Sequence, residues 1–186
     1  MINNKEKIEE LVYQFLLAIG EDPQREGLLD TPKRVAAMCD ELLNPSTDKA
    51  LYTTFDSEQY GGIVLVRDID FSSMCEHHIM PFVGKIHIAY IPQERVIGIS
   101  KLARIVDKHS KKLQIQERLA HDIANDLSSA THSEGVAIYI EAEHLCMNIR
   151  GVQRRDAVTI TTHYTGCFQN IDMQNMFLNI ISMRNK

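Results

Sequence analysis

The order of the hydrophobic patterns constrains this chain most. Residues 63–71 and 82–91 are rich in β-branched and aromatic side chains and read as two strands. Ser100 can cap a helix that carries Leu102, Ile105 and Val106, and a second helix follows with Leu119, Ile123 and Leu127 four apart. Residues 135–146 and 157–164 then read as two more strands. Strands in pairs, separated by paired helices, predict an antiparallel α+β sheet and not a parallel βαβ fold.

Two helices precede this unit. Ile8, Leu11, Val12, Phe15, Leu16 and Ile19 recur at helical spacing, and Gly20 lies where such a helix stops. Thr31 and Pro32 read as an N-cap and a first-turn proline, ahead of a stripe of Val35, Met38, Cys39 and Leu42. Residues 44–62 have turn chemistry and read as a loop. Met176, Phe177, Ile180 and Ile181 predict a closing C-terminal helix. The expected division is an N-terminal helical region, 1–62, and a catalytic α+β domain, 63–186.

The net charge of −5 disfavours nucleic acid as a partner. An anionic small substrate remains compatible, because local basic clusters decide its binding. The N-terminus has no apolar h-region, and no apolar run approaches the ~18 residues of a membrane span. A cytoplasmic protein with no membrane partner is expected. Four cysteines in 186 residues are too sparse for a disulfide scaffold.

Two of those cysteines sit beside histidines. Cys75-Glu76-His77-His78 lies between the first two strands, and His144-Leu145-Cys146 ends the third. Along that third strand Val136, Ile138, Ile140 and Ala142 share one face, and the same parity carries His144 and Cys146. Thiolate and imidazole are the preferred ligands of zinc. Two cysteines and one of the three histidines would leave a fourth position for water, the arrangement of a catalytic site. Spacing alone does not choose between His77 and His78. His87, His109, His121, His132 and His163 are given no role.

A third feature is the segment from Gly98 to Arg104, which opens a helix. Free backbone N–H groups favour an anion there, and Lys101 and Arg104 share a face. Arg150 can join them. The same charges are equally a solvated helix face. Gln116-Glu117 opens the next helix, where a carboxylate can accept from a purine edge or simply answer the helix dipole.

These segments together resemble the GTP cyclohydrolase I family. The resemblance is carried by the string from Glu21 to Arg34, by Cys75-Glu-His-His78, by His87 to Pro92, by Ile97 to Asp107, by Gln114 to Leu119 and by Glu141 to Val152. It implies the tunnelling fold: a four-stranded antiparallel sheet with two helices on one face, an N-terminal helical part and a C-terminal helix. It also implies a homodecamer, a dimer of pentamers with active sites between subunits. By family match Cys75, His78 and Cys146 hold Zn2+, while His77 and His144 move protons. Gln116 and Glu117 match the guanine-recognising pair and Ser100 the serine near the ribose. Lys101, Arg104, Arg150 and Arg34 match the triphosphate positions. The implied reaction converts GTP to 7,8-dihydroneopterin triphosphate and formate, at the start of pterin and folate synthesis. The sequence departs from the family pattern at Ala37, Leu113 and Gln174–Leu178, none of them a metal or proton-transfer position.

Overall fold

The structure, a computed structural model, describes residues 4–45 and 52–183. Its contacts divide the chain into two compact units, Met1–Asn44 and Pro45–Lys186, whereas the sequence pattern suggests a boundary near residue 62.

The first unit is a helical pair. Helix α1, Lys5–Ala18, is capped by Asn4, whose side chain accepts from the Lys7 N–H at 2.8 Å. Gly20, at φ 86, takes the left-handed conformation that ends it. Helix α2, Thr31–Leu42, starts one residue earlier than expected, with Asp30 at the N-cap and Pro32 in the first turn. Lys5 and Asp40 join the two helices by an ion pair of 2.6 Å.

In the second unit the strands are β1 (Thr54–Asp56), β2 (Val64–Cys75), β3 (Met80–Ile91), β4 (Arg95–Ile97), β5 (Leu113–Gln114), β6 (Gly135–His144) and β7 (Val158–Tyr164). Its helices are α3 (Ile99–Ser110), α4 (Gln116–Thr131), the single turn α5 (Leu145–Asn148) and α6 (Ile171–Ser182), with a 3-10 turn at Gly166–Gln169 before α6. The main sheet runs β5-β2-β3-β6-β7. Four of these strands are antiparallel neighbours as expected, and β5 adds a fifth, two-residue parallel strand beside the end of β2. So short a strand leaves no periodic signal.

The stretch expected to be a loop contains β1, which pairs with β4 in a separate ribbon; residues 46–51 lie outside the described residues. β2 also runs on to Cys75, where residues 72–75 pair with residues 80–83 of β3.

The sheet is covered on both faces. On one, Ile86, Ile88 and Tyr90 of β3 and Val136, Ile138 and Ile140 of β6 are buried with Leu102 and Ile105 of α3 and Leu119, Ile123 and Leu127 of α4. The alternation of β6 with period 2 and of α4 with period 4 meets in this core. On the other, Ala89 and Ala137 pack with Phe168 and with Phe177 of α6. β3 and β6 approach so closely that a Cβ on Gly84 would stand 1.9 Å from the Glu141 carbonyl oxygen. No helix among the described residues is long and apolar enough to cross a membrane.

Candidate active site

The hairpin between β2 and β3 and the turn after β6 meet at one end of the sheet. Cys75 closes β2, paired with Met80, and the four residues between them form a tight turn in which the Ile79 N–H donates to the Cys75 carbonyl at 2.8 Å. Ile79 holds φ 52, a left-handed conformation costly for a β-branched residue. Such strain costs about 1–3 kcal/mol and tends to be kept where function needs the geometry.

The Cys146 side chain comes to the same place, but not as the strand residue that parity predicted. β6 ends at His144 and the chain turns helical at Leu145, so α5 delivers Cys146. The donor atoms of Cys75, His78 and Cys146 all lie within 4.8 Å of one another. His77 is not a member of this group, although its Nδ1 lies 3.9 Å from the Cys75 sulfur. The structure thereby separates two histidines that spacing left equivalent. Two soft sulfurs and an imidazole fit zinc, and three protein donors leave one of four tetrahedral positions open. Burial and then the neighbouring Cys75 sulfur push the Cys146 thiol up from its ordinary pKa. A divalent cation among these donors reverses that balance and favours the thiolate.

His144 stands directly opposite Phe82 in the β3–β6 register, and their rings stack at 4.7 Å with planes 2° apart. Its Nε2 lies 2.9 Å from Gln116 Oε1. The Gln116 amide nitrogen faces three acceptors: the Ile140 carbonyl at 3.2 Å, the Thr159 carbonyl at 3.0 Å and the Thr161 hydroxyl at 3.1 Å. Those acceptors fix the amide orientation, so the oxygen must face His144. Neutral His144 then carries its proton on Nε2 and leaves Nδ1 as the nitrogen that titrates. Burial lowers the His144 pKa, and the nearby Glu117 carboxylate opposes that shift.

Gln116 is therefore a buried residue, 2% exposed, with its side chain turned inward, while Glu117 is exposed beside it. Ser100, Lys101 and Arg104 occupy the first turns of α3 after the N-cap Gly98, with Ser100 and Arg104 exposed. Arg150 is exposed just beyond α5 and close enough to favour the Cys146 thiolate. Arg34 belongs to the N-terminal unit, where it pairs with Asp30 at 3.4 Å.

Sequence reasoning missed a polar seam between α3 and α4. Asp126 accepts from Lys108, from the Tyr52 hydroxyl and from His109 Nε2, each at 2.7 Å. Burial alone would raise its pKa, but these three bonds hold it below the usual carboxylate range. The spacing of Asp122 and Asp126, one helical turn apart opposite Lys108 and Lys112, was the available signal.

The model of the family described as GTP cyclohydrolase I matches residues 8–182. The chain belongs to the GTP cyclohydrolase I family. Relatives named GTP cyclohydrolase 1 include one from Streptococcus pyogenes, 52% identical over 89% of this chain and 87% of that protein. Another, from Streptococcus suis, is 48% identical over 90% of this chain and 91% of its own length. One from a Sulfurihydrogenibium species is 46% identical with both chains covered in full. Among solved structures, an archaeosine synthase QueF-Like in the apo form superposes at a TM-score of 0.47 with 16% identity, over 56% of this chain and 93% of that one.

Proposed function

We propose that this chain opens the imidazole ring of GTP at the Cys75–His78–Cys146 centre and yields formate and 7,8-dihydroneopterin triphosphate. The observation that carries the reading is the meeting of those three donors from separate elements, next to a histidine whose tautomer Gln116 fixes. Cys75, His78 and Cys146 would hold the zinc ion. The chemistry zinc would supply there is Lewis acidity, which lowers the pKa of a water to about 7.

The rest is work for this chain's side chains. The imidazole carbon of guanine is a poor electrophile until its ring nitrogen is protonated, and His77, at the turn beside the donors, supplies that proton. Addition of one water to that carbon and cleavage of its bond to the ring nitrogen leave a formamide, and a second water hydrolyses this to release formate. The ribose then opens, rearranges and closes on the freed amines with loss of water, so one water is consumed overall. His144 Nδ1 is the acid for sugar opening, since Nε2 is committed to Gln116. Glu117 accepts from the N–H donors of the guanine edge and rejects adenine, whose donor pattern differs. Ser100 lies near the ribose. Lys101, Arg104 and Arg150 meet the triphosphate, helped by the N-terminal end of α3. The fold is the tunnelling fold, assembled as a homodecamer of two pentamers with active sites between subunits. The enzyme acts in the cytoplasm, in pterin and folate synthesis.

Incubation of the purified chain with zinc and GTP tests the reading. Formate and a product that becomes a fluorescent pterin on oxidation are expected. A zinc-loaded chain that yields neither refutes the assignment. His144→Ala is expected to retain zinc and lose turnover.

A further inference from the structure

The turn that carries the metal-binding histidine has few anchors. His77, His78 and Ile79 are all exposed, and the turn's own hydrogen bonds close on the Cys75 carbonyl. Among the described residues, its tethers to the rest of the chain come from one short segment, β5 and the first turn of α4. The Glu76 N–H donates to the Gln114 carbonyl at 3.1 Å, extending the pairing of Cys75 with Gln114. The Glu76 carboxylate accepts from the Arg118 guanidinium, and its other oxygen lies 3.9 Å from His77 Nε2.

Gln114 is the hub of this arrangement. It is 0% exposed, which for a glutamine demands that every polar capacity be met. Its Nε2 donates to the His109 carbonyl at 3.2 Å and to Asp122 at 3.3 Å. Its Oε1 accepts from the Ile115 N–H at 3.1 Å and from Arg118 Nε at 2.6 Å. The amide cannot rotate without breaking these bonds, so Arg118 is held in one place. Arg118 in turn presents its outer nitrogen to Glu76.

We propose that Gln114 and Arg118 are positioning residues that staple the Cys75–Ile79 turn to the start of α4, holding the metal-donor turn in register with Glu117 and His144. The ion pair alone does not require this, because both partners are partly exposed, at 41% and 32%, and such a pair contributes little to global stability. What it can fix is the side chain of Glu76, in a turn otherwise held only by its own hairpin and by the backbone bond from Glu76 to Gln114. The proposal rests on the functional reading only in taking Cys75, His78 and Cys146 as metal donors.

The test is the zinc affinity of Arg118→Met, measured by competition with a chromophoric chelator, beside the thermal midpoint of the metal-free chain. Affinity falls about tenfold, the low end of the cost of losing a partner bonded to a metal ligand, because Arg118 acts through Glu76. The metal-free midpoint stays within about 4 °C of the parent. Arg118→Lys keeps a cation for Glu76 and recovers most of the loss. Unchanged affinity in Arg118→Met overturns the proposal. So does a loss that tracks an equal fall in metal-free stability and that lysine does not recover. A parent chain that binds zinc but releases no formate from GTP refutes the functional reading and leaves the staple standing; one that binds no zinc refutes both.

Discussion

Replacing Gln116 with leucine separates two ways in which that residue can serve the reaction. The substitution removes an amide donor shared by the Ile140 and Thr159 carbonyls and the Thr161 hydroxyl, and the acceptor that faces His144. The amide's two N–H donors and its oxygen make three bonds, and at about 1 kcal/mol for each the cost of losing them is about 3 kcal/mol. A more apolar side chain in a site 2% exposed returns about 1–2 kcal/mol. The net loss is about 1–2 kcal/mol, or about 2–8 °C in thermal midpoint for a chain of this size. The catalytic effect is larger. One hydrogen bond to His144, about 1.4 kcal/mol, is worth about tenfold in the population of the correct tautomer. Failure of the ring to stay in place removes part of the roughly 100- to 10,000-fold that a general acid contributes. Steady-state kinetics on zinc-loaded Gln116→Leu should therefore show kcat reduced about 10- to 100-fold, with KM within about threefold of the parent. A raised KM with kcat intact would place the side chain on the substrate and sink the account of His144 given above.

Other expectations are independent of that one. Burial lowers the pKa of His87, His109, His144 and His163, so the unfolded chain binds more protons below its ordinary histidine pKa, about 6.5. The metal-free chain should lose stability as pH falls from about 7 through 6.5, with a further loss when Asp122 and Asp126 protonate below the usual carboxylate pKa; urea midpoints across this range check both. Gly84→Ala forces a methyl group to 1.9 Å from the Glu141 carbonyl oxygen, so β3 and β6 must part. A loss of at least about 3 kcal/mol in denaturant melts, or no soluble protein, is expected. Ile79→Asn relieves a left-handed β-branched residue whose side chain is 62% exposed. A gain of about 1 kcal/mol is expected in the same melts, and a loss would show that Ile79 makes contacts worth more than its strain.

The large elements were legible in the sequence because each buries a periodic face. The alternation from Val136 to Ala142 and the four-residue spacing of Leu119, Ile123 and Leu127 are imprints of one core. What escaped has no period to read. β5 is two residues long and β1 three, and their pairing is set by distant partners on β2 and β4. The group of Cys75, His78 and Cys146 was legible by chemistry, since its cysteines lie beside histidines at the ends of strands. Their geometry was not: parity placed Cys146 on β6, whereas the strand stops at His144 and a helical turn takes over. The inward turn of Gln116 was hidden for a related reason. A glutamine at a helix start looks exposed in sequence, and only the packing of α4 against β6 and β7 turns it inward.

That single turn of helix after β6 has a thermodynamic consequence. A sheet strand is locked by neighbours along its whole length, but four residues of helix carry little cooperativity of their own. Cys146 is thus held on a piece with little stability of its own, and a metal ion shared with Cys75 would act as a cross-link between distant parts of the chain. Withdrawing the ion should let the segment from Leu145 onward fray while the sheet stays closed. Amide exchange would accelerate there first, long before the domain as a whole gives way.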